Sequence, residues 1–263
     1  MQLNYIDIHS HVNLSPLLEN KEAILTKMRE QKIGTITVGT GLETSQMAVS
    51  IAESNSDICW ATVGFHPCDG HVPNGEADWD TLEALAKNPK TVAIGETGLD
   101  YFHEDTPESR QTQTEIFKKH IELAIKVQKP LMLHVRSSKG SDDAYYDALA
   151  ILQDYSGKAN FHFFSGSKKC MEDIITAGFT VSVDGPITFV AEYDEMIKAV
   201  PLDKIMIETD APFAAPKPYR GKTCEPWMVI EIARKIAELK GLDDETVRLQ
   251  LIKNTQEFFG IGN

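Results

Sequence analysis

We predict an α/β fold, a (β/α)8 barrel of the TIM type, from three observations. The chain has 263 residues, and a barrel of this type commonly takes about 250. Short apolar, β-branched runs alternate with segments of helical periodicity, as expected of buried parallel strands joined by helical crossovers. No repeat or linker marks a second domain, so residues 1–263 are predicted to form a single barrel domain.

Eight strands are predicted from the apolar runs. Each run is short, rich in β-branched residues and bounded by polar or turn-forming residues. In chain order the runs are NYIDIH, TITVG, WATVGFH, TVAIGE, PLMLHV, NFHFF, FTVSV and KIMIE. A doubly wound open sheet is the structural alternative, but it usually carries a glycine-rich phosphate loop after the first strand. Histidines occupy that place here.

Helices are predicted between these runs. The clearest covers residues 107–127, with Thr106 as its N-cap and Pro107 at the first helical position. Apolar residues then recur at helical spacing on one face. Another helix is predicted to open at Ser15-Pro16, and others are predicted to cover residues 43–53, 142–153, 225–240 and 243–258.

The composition is that of a globular protein with a full core and an acidic surface. Hydrophobic residues make up 42% of the chain, and 39 acidic against 26 basic residues give a net charge of −13. This balance argues against a broad nucleic-acid-binding surface, which usually carries a basic patch. It does not argue against a nucleic-acid end that enters a cleft.

Cysteine usage and hydropathy favour a cytoplasmic location. The four cysteines are scattered without a C-x-x-C pair, so we expect reduced thiols. No apolar run is long enough to span a bilayer, and the first strand begins too early to leave room for a signal peptide. We therefore predict no membrane association, and the sequence allows no obligate protein partner to be inferred.

The first strand carries polar residues at regular positions. In YIDIHSHV, every second residue is Asp7, His9 or His11, and side chains at i and i+2 share a face of a strand. Alternation therefore predicts that both imidazoles face inward, with Asp7 behind them as support. Two neutral imidazoles at a strand end form half of a metal site. For this motif alone, two solvated loop histidines are the alternative.

Later strands end in residues that can complete a metal site. In chain order these residues are Glu96, His134, His162, Glu208 and Asp210. The C-terminal ends of barrel strands meet at the face where barrel active sites lie. We therefore expect these side chains to converge with the two histidines of the first strand.

The number of candidate ligands predicts two ions. A catalytic zinc uses about three protein ligands, whereas six fit two ions about 3.5–4 Å apart that share a bridging carboxylate. We predict two divalent ions (Mg²⁺, Mn²⁺ or Zn²⁺) held by His9, His11, Glu96, His134, His162 and Asp210. Glu96 is the expected bridge. Asp210 is expected to bind the ion of the first strand and to take a proton from a bridging, attacking water.

The chain resembles the TatD family of metal-dependent deoxyribonucleases, which belongs to the amidohydrolase-like barrel hydrolases. The resemblance rests on motifs in the family's order and spacing, namely DIHSH, VGFHP, GETGLDY, LHVRSS, FHFFSGS and ETDAPFAAPKPYRGK. It covers nearly the whole chain, and ETDAPF followed by P-x-x-x-R-G-K is its most specific part. The resemblance implies the same fold, the same six metal ligands and an activity on DNA.

Four further residues are candidate substrate contacts. His66 closes the third strand and is expected to orient substrate or to donate a proton to a leaving group, with support of the metal ligands as an equal alternative. Arg136 is expected to clamp a phosphate, with a surface salt bridge as the alternative. Arg220 and Lys222 lie in a proline-containing loop after the last strand, where they are predicted to hold positive charge over the site, with a solvated charged loop as the alternative.

Other polar residues are assigned supporting or structural places. Asp100 is expected to orient a metal-bound imidazole, since ligating histidines need such a partner. His120 falls on the apolar face of its helix and is predicted to be a core residue. His71 and His103 are predicted to lie in loops.

The predicted function is a divalent-metal-dependent phosphodiesterase that hydrolyses DNA as a 3'-5' exonuclease-like deoxyribonuclease, with Asp210 and Glu96 as catalytic residues. Two alternatives stay open. The same ion pair can polarise a carbonyl, so the substrate of a binuclear hydrolase could be an amide, a lactone or an aminoacyl ester. The second alternative is a non-catalytic metal-binding module.

Overall fold

The structure is a computed structural model that describes residues 2–68 and 73–262. Its strands are β1 (Tyr5–Ser10), β2 (Ile33–Val38), β3 (Cys59–Val63), β4 (Thr91–Asp100), β5 (Leu131–Arg136), β6 (Ala159–His162), β7 (Thr180–Val183) and β8 (Ile205–Ile207). They form one eight-stranded sheet in which each strand pairs in parallel with the next along the chain.

The sheet curls into a nearly closed barrel just beyond the end of β8. The Asp210 N–H donates to the His9 carbonyl at 2.9 Å, and the His11 N–H donates to the Ala211 carbonyl at 2.7 Å. The strand order runs in sequence without a reversal, whereas a doubly wound sheet reverses its order at a switch point. The predicted (β/α)8 barrel is therefore confirmed.

Helices cover the outside of the barrel. Those in the described residues are α1 (Lys21–Gln31), α2 (Leu42–Ser54), α3 (Glu76–Ala86), α4 (Pro107–Val127), α5 (Asp143–Ile151), α6 (Lys168–Thr176), α7 (Asp194–Ala199), α8 (Val229–Lys240) and α9 (Asp244–Phe259). In residues 2–68 and 73–262, no helix combines the length and the apolar character that crossing a membrane requires.

The helix predicted at residues 107–127 is confirmed as α4, and those predicted at 43–53, 142–153 and 243–258 match α2, α5 and α9 to within two residues at each end, whereas the other two predicted helices begin later than expected. Helix α4 has the predicted bounds, and its Thr106 hydroxyl accepts the Ser109 N–H at 3.1 Å. The helix predicted to open at Ser15-Pro16 begins only at Lys21, because residues 12–17 form turns that bury Leu17. The helix predicted from residue 225 begins at Val229, after a 3-10 turn.

Three helices, α3, α6 and α7, were not predicted from the sequence. Helix α3 buries only Leu82 and Ala86, and α7 is six residues long. Helix α6 is nine residues long and buries three side chains. None of the three is longer than 11 residues, which is the short end of the stretch over which a helical period can be recognised.

Two apolar layers stabilise the barrel. The larger layer lies between the strands and the surrounding helices. A smaller cluster joins side chains from β1, β2, β4, β5 and β8, which can meet only inside the barrel. It contains Ile6, Ile8 and Met132, and Phe258 and Phe259 of α9 pack against it. The interior below the mouth is therefore filled with side chains, and the open space lies at the C-terminal ends of the strands.

Two strands carry an extra residue beside the mouth. In β1, the three residues that follow Asp7 are paired with only two residues of β2. In β4, the three residues that follow Ile94, up to Thr97, are likewise paired with only two residues of β5. Such bulges turn a side chain to the other face of the sheet. The first lies beside His9 and the second contains Glu96.

His120 of α4 is a neutral core residue, as its position on the apolar face predicts. Its Nε2 accepts the Phe65 N–H at 3.0 Å, and its Nδ1 lies 2.8 Å from the Ile116 carbonyl. Because a carbonyl can only accept, Nδ1 carries the proton and the ring is uncharged. Burial lowers the pKa of His120 to about 4.

We predict that Gly98→Ala destabilises the protein far more than Gly178→Ala does. Both glycines have a positive φ, of 145° and 93°. A Cβ at Gly98 would lie 2.1 Å from the His134 carbonyl, whereas nothing stands within 4 Å of one at Gly178. Backbone strain alone costs about 1–3 kcal/mol, so Gly178→Ala should stay in that range and Gly98→Ala should exceed it. Urea unfolding of the metal-free proteins measures both, and equal losses would contradict the packing between β4 and β5.

We predict that His120→Gln weakens the pH dependence of stability. The unfolded chain protonates this histidine below its ordinary pKa of 6.5, whereas the folded protein keeps it neutral down to about 4. Stability is therefore lost as the pH falls through this window, by about 2 kcal/mol between about pH 7.5 and about pH 5. Urea unfolding with a chelator present should show a fall smaller by that amount in the variant. An unchanged fall would mean that the folded protein protonates this ring.

Candidate metal centre

The structure brings the six predicted ligands together at the mouth of the barrel. They come from five different strands or strand ends. The contacts between their nitrogen and oxygen atoms, described below, are 2.8–3.8 Å long. The six are His9, His11, Glu96, His134, His162 and Asp210. All are largely buried, and the Glu96 side chain lies at the centre of the cluster.

One group of atoms faces the Oε2 oxygen of Glu96. It contains the Nε2 atoms of His9 and His11, which lie 3.3 Å apart. These atoms are 3.4 and 3.8 Å from Glu96 Oε2. They are also 3.6 and 3.4 Å from Oδ1 of Asp210. Two imidazole nitrogens and two carboxylate oxygens thus point at one small space.

A second group faces the other oxygen of the same carboxylate. His134 Nδ1 and His162 Nε2 lie 3.3 Å apart, and they are 2.9 and 2.8 Å from Glu96 Oε1. His66 Nε2 lies 3.5 Å from the same oxygen. His66 therefore stands among the candidate ligands of this group as well as beside the substrate space.

The spacing of both groups fits divalent metal ions. Ligand atoms about 2.0–2.1 Å from a tetrahedral ion lie about 3.3 Å from one another, which is close to the separations within each group. His9, His11 and Glu96 form one set of potential ligands, and His66, Glu96 and His134 form another. Glu96 belongs to both sets, as a bridging carboxylate must.

The second nitrogen of three of these imidazoles is held by an acceptor. His11 Nδ1 lies 3.3 Å from the Val38 carbonyl, and His134 Nε2 lies 2.9 Å from Asp100 Oδ2. His162 Nδ1 lies 3.2 Å from Glu208 Oε1. An acceptor at one ring nitrogen fixes the tautomer and leaves the lone pair of the other nitrogen for a metal. The predicted contact between Asp100 and an imidazole is thus present.

Glu208, a carboxylate at a strand end that is not one of the six predicted ligands, is a supporting residue. Its Oε1 accepts the Phe163 N–H at 2.6 Å, and its Oε2 accepts the Ser182 hydroxyl at 2.7 Å. These bonds hold the carboxylate against His162 inside the barrel. The signal was present in the sequence, because Glu208 precedes Asp210 by two residues at the end of a strand.

Asp7 lies on the face opposite to the predicted one. Its carboxylate accepts hydrogen bonds from the N–H groups of His9 and Thr209, at 3.2 and 2.9 Å, and from the Thr209 hydroxyl at 2.7 Å. Ile6 and Ile8 occupy the barrel interior instead. The bulge after Asp7 then turns His9 inward. Asp7 thus ties the backbone of β1 to the segment after β8 and makes no contact with an imidazole among the described residues.

The electrostatics of the centre are those of a buried anion surrounded by imidazoles. Burial opposes ionisation of Glu96, but His162, His9 and His66 hold its pKa well below its ordinary value. Burial also opposes protonation of His162, yet Glu96 and Glu208 raise its pKa well above its ordinary value. Burial and the neighbouring His162 lower the pKa of His9. A divalent cation would supply the positive charge that this arrangement requires.

The candidate substrate contacts differ in their positions. Arg136 lines the cavity above the centre, and its guanidinium stacks 4.1 Å from the Phe102 ring. Arg220 stacks 3.9 Å from the Phe189 ring, and Lys222 is exposed to solvent. Neither residue belongs to the described wall of this cavity. The structure therefore does not bring the predicted cations of the last loop into the site.

The structure describes one of the two histidines predicted to lie in loops, His103. His103 lies in a turn after β4, lines the cavity and places its Nδ1 2.8 Å from Asp100 Oδ2. This contact means that Asp100 lies between two imidazoles. His71 falls outside the described residues.

A cavity of about 720 Å³ opens above the centre. Imidazoles and the carboxylates of Glu96 and Asp210 form its floor, and aromatic side chains, including Phe163, Tyr193 and Phe213, form part of its wall. Arg136 is the one lysine or arginine in the part of this wall that the structure describes. The space suits a small anionic group bound at the floor with a larger substrate entering from outside.

The chain is similar to several known proteins over nearly its whole length. A family described as TatD related DNase matches residues 6–260. The uncharacterized metal-dependent hydrolase YabD of Bacillus subtilis (strain 168) is 33% identical over 261 residues, which are 97% of this chain and 98% of that protein. A Citrobacter koseri protein named 3'-5' ssDNA/RNA exonuclease TatD is 30% identical, over 97% of this chain and 98% of that one.

A solved structure shows the same fold. The crystal structure of YJJV, a TatD homolog from Escherichia coli K12, has a TM-score of 0.86 and 24% sequence identity to this chain, and the match covers 100% of both chains. The barrel and its closure are therefore features that this chain shares with a protein of known structure.

Proposed function

The chain belongs to the TatD related DNase family and is a metal-dependent hydrolase, and from this premise we propose that it hydrolyses the phosphodiester bonds of DNA from a strand end. One observation carries the proposal. The two oxygens of Glu96 face two separate groups of ligand atoms beneath a cavity whose described wall includes one guanidinium, that of Arg136. Two divalent ions held by these two groups would suit in-line displacement at phosphorus.

We assign the ligands to two divalent ions, Mg²⁺, Mn²⁺ or Zn²⁺. His9, His11 and Asp210 would hold one ion with Glu96 Oε2, and His134 and His162 would hold the other with Glu96 Oε1. When bound, such ions activate water and stabilise the charge that develops on the phosphoryl oxygens. The mixed imidazole and carboxylate ligands accept several metals, so availability selects among them.

The remaining steps fall to side chains of the chain itself. A water oxygen forms a bond to phosphorus while the bond from phosphorus to the departing O3′ breaks. Asp210 accepts the proton of the water, and His66 gives a proton to the departing oxygen. Arg136 contacts a non-bridging phosphate oxygen. Asp100 and Glu208 keep the rings of His134 and His162 in place through the hydrogen bonds described above.

Action at strand ends is favoured by the shape and charge of the protein. A net charge of −13 opposes the binding of a long duplex, whereas a cavity of about 720 Å³ accepts a nucleotide at an end. The 3'-5' direction and the single-stranded substrate follow the name of the Citrobacter koseri relative. A single domain over residues 1–263 and a cytoplasmic location stay predictions.

We predict that Asp210→Asn abolishes most of the nuclease activity. The amide cannot accept the proton of the attacking water, so kcat should fall by about 100-fold or more. The measurement is the release of nucleotides from 5′-labelled single-stranded DNA with Mg²⁺ or Mn²⁺, and Asp154→Asn, an exposed site, is the matched control. Cleavage by the wild-type protein no greater than by Asp210→Asn would count against the proposal. Turnover only on a panel of amides, lactones and esters would support the carbonyl alternative, and no turnover on any substrate would support a metal-binding module.

We predict that Glu96→Gln lowers the bound metal from two ions per chain to one or none. A carboxamide offers one oxygen and no anionic bridge, so the two groups can no longer share the ligand. Elemental analysis after dialysis against metal gives the stoichiometry, with exposed Glu30→Gln as the control. Two ions retained by Glu96→Gln would rule out the bridging role.

A further inference from the structure

Two exposed phenylalanine rings follow strands that end at the mouth of the barrel. Phe213 lines the cavity, whereas Phe102 lies outside its described wall and stacks on Arg136, which lines it. Phe102 is 50% exposed and Phe213 is 55% exposed. A phenylalanine normally contributes most by burying its ring, so a ring half open to solvent beside a cavity is informative. The other large apolar side chains with this exposure in the described residues lie on outer helices or their connection: Ile125, Tyr146, Leu242 and Leu249.

The backbone N–H of each phenylalanine donates a hydrogen bond to an aspartate of the centre. The Phe213 N–H donates to the Asp210 carbonyl at 2.9 Å, and the Phe213 ring lies 6.2 Å from the His11 ring. The Phe102 N–H donates to Asp100 Oδ1 at 2.9 Å. Phe213 therefore follows β8 beside β1, and Phe102 follows β4 beside β5. In a barrel of eight strands in sequential order, these are opposite sides of the mouth.

The charge of the mouth is too low for binding a polyanion by charge alone. Proteins that bind single-stranded nucleic acids combine a positively charged groove with aromatic side chains on which the bases stack. Here the described cavity wall has a single guanidinium, that of Arg136, and the whole chain has a net charge of −13. Apart from the metal ions assigned to the cavity floor, aromatic stacking is what this mouth offers in place of a basic groove.

Resting on the proposed function, we propose that Phe213 and Phe102 are stacking platforms for the bases on the two sides of the scissile phosphate. With the phosphate above Glu96, the two nucleosides extend toward opposite sides of the mouth, where the two rings lie. The guanidinium of Arg136, stacked 4.1 Å from Phe102, contacts the phosphate between them. Only an unpaired base can lie flat on these rings, so the platform selects single-stranded ends with little regard to sequence.

The test removes the aromatic ring from the protein and, separately, the bases from the DNA. The variants are Phe213→Ala and Phe102→Ala, with Phe213→Trp as the conservative aromatic replacement and exposed Leu249→Ala as the control. Each is assayed on a thymidine oligonucleotide and on the same strand with abasic nucleotides on both sides of the terminal phosphodiester. Circular dichroism and the bound metal content confirm that each variant is folded and loaded.

Stacking predicts a specific pattern. Each alanine variant should lower kcat/KM on the thymidine strand by about tenfold and change it less than twofold on the abasic strand, because the abasic strand has no base to lose. Phe213→Trp should keep wild-type values, and Leu249→Ala should match the wild type on both strands. Equal losses on both strands, or none on either, would overturn the proposal.

A separate measurement distinguishes this inference from the nuclease assignment. If the wild-type protein cleaves neither strand, the proposed function fails. The stacking proposal is then tested by DNA binding alone. The affinity of the wild-type protein and Phe213→Ala for the two labelled strands is measured by fluorescence anisotropy, with Ca²⁺ as the metal. Tighter binding of the thymidine strand that disappears in Phe213→Ala supports the platform, and equal Kd values for both strands overturn it.

Discussion

The two oxygens of the Glu96 carboxylate face two different sets of ligand atoms, and the rest of the structure serves to keep this carboxylate buried and charged. A buried carboxylate costs several kcal/mol unless cations or hydrogen-bond donors surround it. Five imidazoles stand within 3.8 Å of its oxygens, and the carboxylates of Asp100 and Glu208 hold two of them from behind. The arrangement makes chemical sense around metal ions, in agreement with a metal-dependent hydrolase of this family.

Local departures from regular strands place these side chains. The bulges in β1 and β4 lie beside His9 and at Glu96, as bulges near functional sites often do. Asp210 adopts a left-handed φ of 52°, a conformation that aspartate tolerates better than most residues. Its N–H closes the barrel onto the His9 carbonyl. The hydrogen bonds that close the barrel are therefore also the ones that bring the first and last ligands together.

The acidic surface and the metal centre, which requires positive charge, act on a substrate over different distances. Distant surface acids act through solvent and are screened within about 10 Å, whereas bound cations act directly on a group at the cavity floor. Under the proposed function, a phosphate is recognised at the floor, and the aromatic wall is left to recognise the organic part of the substrate. Such a site discriminates by what fits its mouth more than by long-range attraction.

The sequence by itself determined the barrel, most helix positions and the identity of the residues at the mouth, because periodicity and strand ends are local properties and parallel strands bring their C-terminal ends together. It could not determine the face of Asp7, the contact between Glu208 and His162, or the distance of Arg220 and Lys222 from the cavity. These depend on a bulge, on the packing of neighbouring strands and on the path of a loop. Each of these is fixed by pairing between segments far apart along the chain, so only the tertiary structure decided them.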